Sequence, residues 1–172
     1  MMQDDKYSIW LMPSGRTYSL IREKIELLSK TYNSPLTEPH ITILGSIDCT
    51  KRDAIEKTKN LASQIRSFEV SLNGFGYANE FYESLFLNAK DDGHLKDARE
   101  KAMNAFGIKR EGFSPHLSLF YGEGFSDVDK RKMIKMVGNL ELSFLADKLH
   151  VYLTNNRLVT ANKITTIPIG RE

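Results

Sequence analysis

Cysteine is nearly missing from this chain: Cys49 is the single one in 172 residues. One thiol closes no intrachain disulfide and builds no cysteine-based zinc site, so a reducing compartment is expected. Long apolar runs are missing too. Stretches such as Ile9 to Pro13 span a handful of residues, against the ~20 that cross a bilayer, and no membrane span or membrane partner is expected. Asp4 and Asp5 stand near the start, where a secretory leader carries basic residues, so a cytoplasmic protein is expected. Charge of one sign is not in excess either. The 24 basic and 22 acidic residues leave a net charge of +2, without the broad positive field of a protein that follows duplex nucleic acid phosphate by phosphate. Gly74-Phe75-Gly76 is too short a glycine pattern for a phosphate loop or dinucleotide fingerprint, and no His-Glu-x-x-His spacing occurs. Neither a metal nor another cofactor is expected.

What is present is a chain that is 41% apolar, long enough to bury roughly two-thirds of its unfolded surface as one domain or two packed halves. Strand and helix patterns alternate along it without a linker. Tyr7 to Met12 reads as a strand closed by Pro13-Ser14-Gly15, and Ile21, Ile25, Leu28 and Tyr32 recur at helical spacing over about Arg16 to Tyr32. His40 to Ile47 is β-rich, and Thr50 with Asp53 supplies helix-start chemistry for a second helix through Ile65. Phe68 to Tyr77 and Phe81 to Ala89 read as a hairpin turning at Asn79-Glu80. A third helix runs from Gly93 to a stop at Gly107, then a strand over His116 to Tyr121. A fourth helix spans about Asp127 to Leu140 behind Ser126, followed by strands over Leu142 to Thr154 and Ile164 to Ile169.

The two halves echo each other. Pro39-His40-Ile41-Thr42-Ile43 matches Pro115-His116-Leu117-Ser118-Leu119 position for position, 76 residues apart, with Gly45 and Gly122 soon after. Two copies at that separation make a pseudo-symmetric pair of lobes, not a solenoid. Side chains at i and i+2 of a strand share a face. His40 therefore projects with Thr42, and His116 with Ser118, while the intervening aliphatic residues face a core. If the strands meet across a pseudo-two-fold axis, two imidazoles and two hydroxyls converge. Displacement at phosphorus needs one base for the attacking oxygen and one acid for the leaving oxygen, and imidazole serves as either near neutral pH. Hydroxyls and backbone amides suit the non-bridging oxygens.

The doubled motif, PHITI and PHLSL, resembles the paired His-x-Thr/Ser signatures of the two-histidine (2H) phosphoesterase superfamily. Within it the chain is most similar to the small cyclic phosphodiesterases of the plant and yeast type, through YSIWLMP, EPHITILG and SPHLSLFYG. The resemblance implies an α+β, LigT-like fold over residues 1–172 as one bilobal domain: two mostly antiparallel sheets facing a central cleft, with helices outside. It implies metal-free hydrolysis of cyclic phosphodiesters on ribose, namely 2′,3′-cyclic nucleotides and ADP-ribose 1″,2″-cyclic phosphate, by a monomer. By matching position, His40 and His116 become the acid/base pair, with His40 protonating the leaving oxygen and His116 activating water. Thr42 and Ser118 become phosphate holders, and Tyr121 and Trp10 groove residues contacting phosphate or base. Plant members carry further cysteines that this chain lacks, so redox control does not transfer.

Two other functions compete with this one. A LigT-like enzyme would act on the 2′,3′-cyclic 3′ ends of RNA, which the modest charge disfavours. A catalytically idle nucleotide-binding module would not need two intact histidines. Elsewhere, Tyr82 and Phe86 share strand parity, which would let them line the groove, but core packing is the expectation; His94 is expected exposed at a helix start, and His150 structural. Lys130, Arg131, Lys132 and Lys135 are expected to form a solvated helix face.

Overall fold

The computed structural model describes residues 5–90 and 92–170; residues 1–4, part of the start read above for a leader, lie outside them. The elements run β1 (Asp5–Leu11), α1 (Gly15–Tyr32), β2 (Ile41–Ile47), α2 (Lys51–Gln64), β3 (Phe68–Gly76), a 3₁₀ turn (Phe81–Glu83), β4 (Leu85–Ala89), α3 (His94–Phe106), β5 (His116–Phe120), α4 (Asp127–Val137), β6 (Glu141–Ala146), β7 (Lys148–Asn155) and β8 (Thr160–Pro168).

Local chemistry sets the helix ends. Thr50 Oγ1 accepts from the Asp53 amide at 3.0 Å to open α2, and Ser126 with Asp129 closes a capping box at the start of α4. Each such cap is worth ~1 kcal/mol. Gly107, at φ 66°, ends α3 in the left-handed conformation that glycine adopts without steric cost. Ile21, Ile25 and Leu28 of α1 are almost fully buried, as are Ala98 and Ala102 of α3.

The strands form one antiparallel sheet in the order β6-β3-β4-β5-β2-β1-β7-β8. The two sheets expected from sequence are its two halves. Among the described residues they meet at one registered pair, Ile41 opposite Leu117, each the residue after a motif histidine. Helices cross this seam: α1, which follows β1, packs on β5 and β6, whereas α3, which follows β4, packs on β2. The crossing buries aliphatic side chains of both halves in one continuous core. A matching irregularity lies beside each motif. Ile9 and Trp10 of β1 oppose Leu44 and Thr42, and Leu85 and Phe86 of β4 oppose Phe120 and Ser118. One extra residue is thus bulged out after each hydroxyl, a device that re-aims side chains at a strand's working face.

Three expectations are corrected. Phe81 to Ala89 is not one strand: Glu83 N donates to Glu80 O at 3.1 Å and Ala78 N to Glu83 O at 2.9 Å, coiling Phe81–Glu83 into a turn that removes Tyr82 from the parity of Phe86. Leu142 to Thr154 is two strands, β6 on one edge half and β7 in the other, with the Ile169 amide holding the Asp147 carbonyl at 2.9 Å where they part. Lys130 is not solvated. It is 2% exposed, its Nζ donating to the Ala78 carbonyl, while Arg131, Lys132 and Lys135 remain exposed.

Candidate active site

Because β2 and β5 are neighbours at the centre of the sheet, both motifs open onto one cleft of about 500 Å³, whose lining includes Trp10, His40, Thr42, His116, Ser118 and Tyr121. All six residues singled out in the sequence are brought together, but they do not stand equally toward the opening.

The histidines are held alike. His40 Nδ1 lies 2.6 Å from the Glu38 carbonyl and His116 Nδ1 lies 2.8 Å from the Ser114 carbonyl, in each case two residues back. A carbonyl oxygen only accepts, so Nδ1 carries the proton and Nε2 is left for proton transfer in both rings. An aromatic ring backs each imidazole from the neighbouring strand. Trp10 stacks on His40 with centroids 3.6 Å apart and planes 14° apart, and Phe86 lies tilted against His116 at 4.7 Å and 44°. His40 is 7% exposed, and its pKa is pushed down to about 4, chiefly by burial, with charge on His116 adding to the effect.

The hydroxyls differ. Thr42 is exposed in the cleft, its methyl over Gly45, where an added Cβ would stand 3.3 Å from Thr42 Cγ2. Ser118 is buried, and its Oγ donates to the Tyr82 carbonyl at 2.8 Å. Tyr121 is likewise buried; its hydroxyl accepts from Thr37 Oγ1 at 3.3 Å, and burial raises its pKa to about 12, so it stands as a neutral donor. Trp10 faces the groove edge-on only. Its ring lies between His40 and Tyr152, the latter at 3.9 Å, and its Nε1 donates to Ser8 Oγ at 2.7 Å. With both faces covered it stacks on no base.

Several supporting residues were beyond sequence reasoning. Phe86 lies behind His116, and Tyr82 lines the cleft although both were expected in the core. Arg110 donates to the Gly45 and Ser46 carbonyls at 2.7 and 3.1 Å, and Arg99 to the Ile43 carbonyl at 2.8 Å. Together they hold the bulged end of β2, where Ser46 takes φ 50°, sparsely populated for a residue with a side chain. His94 is exposed, stacked on Phe68 at 5.2 Å, and His150, opposite Trp10 on β7, bonds Thr166 Oγ1 at 3.0 Å and is not one of the residues that line the cleft. Among the described residues no group of three or more His, Cys, Asp or Glu side chains is placed to hold a metal, and no helix is long and apolar enough to cross a membrane.

The profile of the family described as cyclic phosphodiesterase-like proteins matches residues 6–167. Among curated proteins, the cyclic phosphodiesterase of Arabidopsis thaliana is 21% identical over 174 residues, covering 98% of this chain and 96% of the relative. The 2′,3′-cyclic-nucleotide 3′-phosphodiesterase of Kluyveromyces lactis is 29% identical over 136 residues, 67% of this chain and 64% of its own. Among solved structures, Escherichia coli LigT complexed with phosphate superposes with a TM-score of 0.60 at 12% identity over 96% of this chain and 97% of that one. A Thermus thermophilus protein superposes at 0.65 and 14% over 97% and 99%. At such identities the likeness shows the fold, which is the α+β, LigT-like architecture the doubled motif implied.

Proposed function

The chain belongs to the cyclic phosphodiesterase-like family of two-histidine phosphoesterases, a family of hydrolytic enzymes, and on that footing we propose that it opens a cyclic phosphodiester on ribose with water, using His40 and His116 as its proton-transfer pair. The substrates are 2′,3′-cyclic nucleotides and ADP-ribose 1″,2″-cyclic phosphate. The observation that carries the reading is the pair of imidazoles in one cleft, each with Nδ1 on a carbonyl and Nε2 left for chemistry.

The water oxygen attacks phosphorus as His116 Nε2 takes its proton. The bond from phosphorus to one ribose oxygen breaks, and that oxygen receives the proton from His40 Nε2. Burial keeps His40 neutral in the free protein, so the anionic phosphodiester, by placing negative charge beside the ring, brings the acidic form with it. Thr42 Oγ1 donates to one non-bridging oxygen directly. Ser118 donates to the other after releasing the Tyr82 carbonyl, and the neutral Tyr121 hydroxyl lies within the same wall. Trp10 keeps the His40 ring in plane from behind.

The test is hydrolysis of 2′,3′-cyclic AMP and of ADP-ribose 1″,2″-cyclic phosphate in excess EDTA, with the product isomer read by phosphorus NMR. Turnover that survives chelation and yields a single monoester isomer is expected. A folded protein inactive on both compounds, or active only with added metal, overturns the reading.

A further inference from the structure

We infer that Arg22 and Tyr18 of α1 are positioning residues for His40: by clamping both carboxylate oxygens of Glu38 they fix the Glu38 carbonyl that holds the His40 Nδ1 proton, and so keep Nε2 presented to the cleft. The inference rests on the reading above and deepens it.

The two halves hold their histidines by the same bond but anchor that bond differently. Before His116, the Pro115 carbonyl accepts from the Ala89 amide at the end of β4 at 3.0 Å, so the main chain itself ties this stretch to the sheet. Before His40, among the described residues, no hydrogen bond between main-chain groups reaches residues 35–39, and Pro35 and Pro39 carry no N–H to give. That segment is held by side chains of α1 instead. Tyr18 Oη donates to Glu38 Oε2 at 2.5 Å, and Arg22 Nη1 donates to Glu38 Oε1 at 2.8 Å and to the Thr37 carbonyl at 3.3 Å. Arg22 Nε donates to Glu26 Oε1 at 2.8 Å, which ties the guanidinium back to its own helix.

The Arg22 and Glu38 side chains are 22% and 37% exposed, and a pair so open to water adds little to stability. Its consequence is where the Glu38 carbonyl points. Trp10 fixes the plane of the His40 ring, but stacking leaves the ring free to turn within that plane. The bond from Nδ1 to the Glu38 carbonyl at 2.6 Å stops that rotation and sets which nitrogen carries the proton. A carbonyl released from the clamp would let Nδ1 lose its proton to Nε2 and the ring drift from the reacting oxygen.

The test measures single-turnover rates on 2′,3′-cyclic AMP, with enzyme in excess, for Tyr18→Phe, Arg22→Ala, Glu38→Ala and Glu38→Gln, each alone and combined with His40→Ala. Arg22→Ala and Glu38→Ala should slow turnover about ten- to a hundredfold, the scale on which misplacing a reacting group by ~1 Å acts, and Tyr18→Phe should slow it less. Glu38→Gln should stay within about threefold of wild type, because its amide oxygen accepts from Arg22 while its amide nitrogen donates to the Tyr18 hydroxyl. Combined with His40→Ala, each loss should shrink below about threefold, since the clamp acts through that ring. Imidazole nitrogen NMR at pH 7, with His40 assigned against His40→Asn, should show His40 protonated on Nδ1 in the wild type and a mixture of tautomers in Glu38→Ala, with His116 unchanged. Losses that persist in full without His40, or a His40 tautomer unmoved in Glu38→Ala, overturn the inference. If the wild type hydrolyses no cyclic phosphodiester, the hydrolase reading falls; the NMR comparison then still decides the clamp, and an unmoved tautomer overturns it.

Discussion

Around His40 the ring is nearly sealed, 7% exposed and parallel to Trp10 at 3.6 Å, whereas His116 is half-buried and tilted on Phe86 at 4.7 Å. The hydroxyls are arranged the other way: Thr42 stands open in the cleft, and Ser118 is buried against the Tyr82 carbonyl. Both halves share the bulge, the cross-strand aromatic and the Nδ1-to-carbonyl bond. Backbone geometry thus makes two equivalent positions, and packing makes them unequal. Burial favours the neutral form of His40 in the free protein, so its proposed role as the acid depends on the negative charge that a bound phosphodiester places beside it.

The largest expected effect exploits that inequality. A pH–rate profile has the same bell shape whichever ring is the acid, but the leaving group separates them. His40→Ala should lose ~10² to 10⁴ in kcat on a cyclic nucleotide and far less on a p-nitrophenyl phosphodiester, whose leaving group departs unprotonated. His116→Ala should lose heavily on both. Rescue of His116→Ala in place of His40→Ala would exchange the roles.

Stability supplies a second contrast. With His40 near 4 when folded and near 6.5 when unfolded, the unfolded chain binds the extra proton between these values. The stabilisation is therefore complete above about pH 6.5 and is lost as pH falls toward 4, amounting to about 3 kcal/mol. Denaturation at pH 7 and pH 4.5 should show a shallower acid loss in His40→Asn. The part that remains is expected from His150, which burial also pushes down to about 4. An unchanged slope in His40→Asn would mean that the ring is not sealed in solution.

The hydroxyls should give the smallest and most divided response. Thr42→Ala is expected to lower kcat by roughly one to two powers of ten, the loss of one donor to developing charge, with the melting temperature unmoved. Ser118→Ala should lower kcat and also cost ~1 kcal/mol of stability, since it leaves the Tyr82 carbonyl without its partner. Thermal melts and steady-state kinetics on both variants check this, and equal stability losses would erase the distinction.

Much of the site was legible because it is written twice. His40, Thr42, His116 and Ser118 followed from strand parity and repetition, and the ends of α2, α3 and α4 from capping chemistry at Thr50, Gly107 and Ser126. Long-range pairing was not legible. Trp10 lies behind His40 because β1 lies beside β2, and Phe86 behind His116 because β4 lies beside β5, neighbours that local sequence does not name. The break at Asp147 carries no glycine or proline; it exists because β6 and β7 pair with β3 and β1 in different halves. Lys130 looked solvated among its basic neighbours, yet the Ala78 carbonyl, in the turn between β3 and the 3₁₀ segment, gives its ammonium a partner.

Steady-state kcat on 2′,3′-cyclic AMP should be measured for the wild type, His40→Ala, His116→Ala and the double variant, each shown folded by circular dichroism. Two rings that act as one unit predict that either single change costs ~10² to 10⁴ and that the double change costs little more. Near-wild-type turnover in either single variant would contradict a mechanism in which both imidazoles move protons.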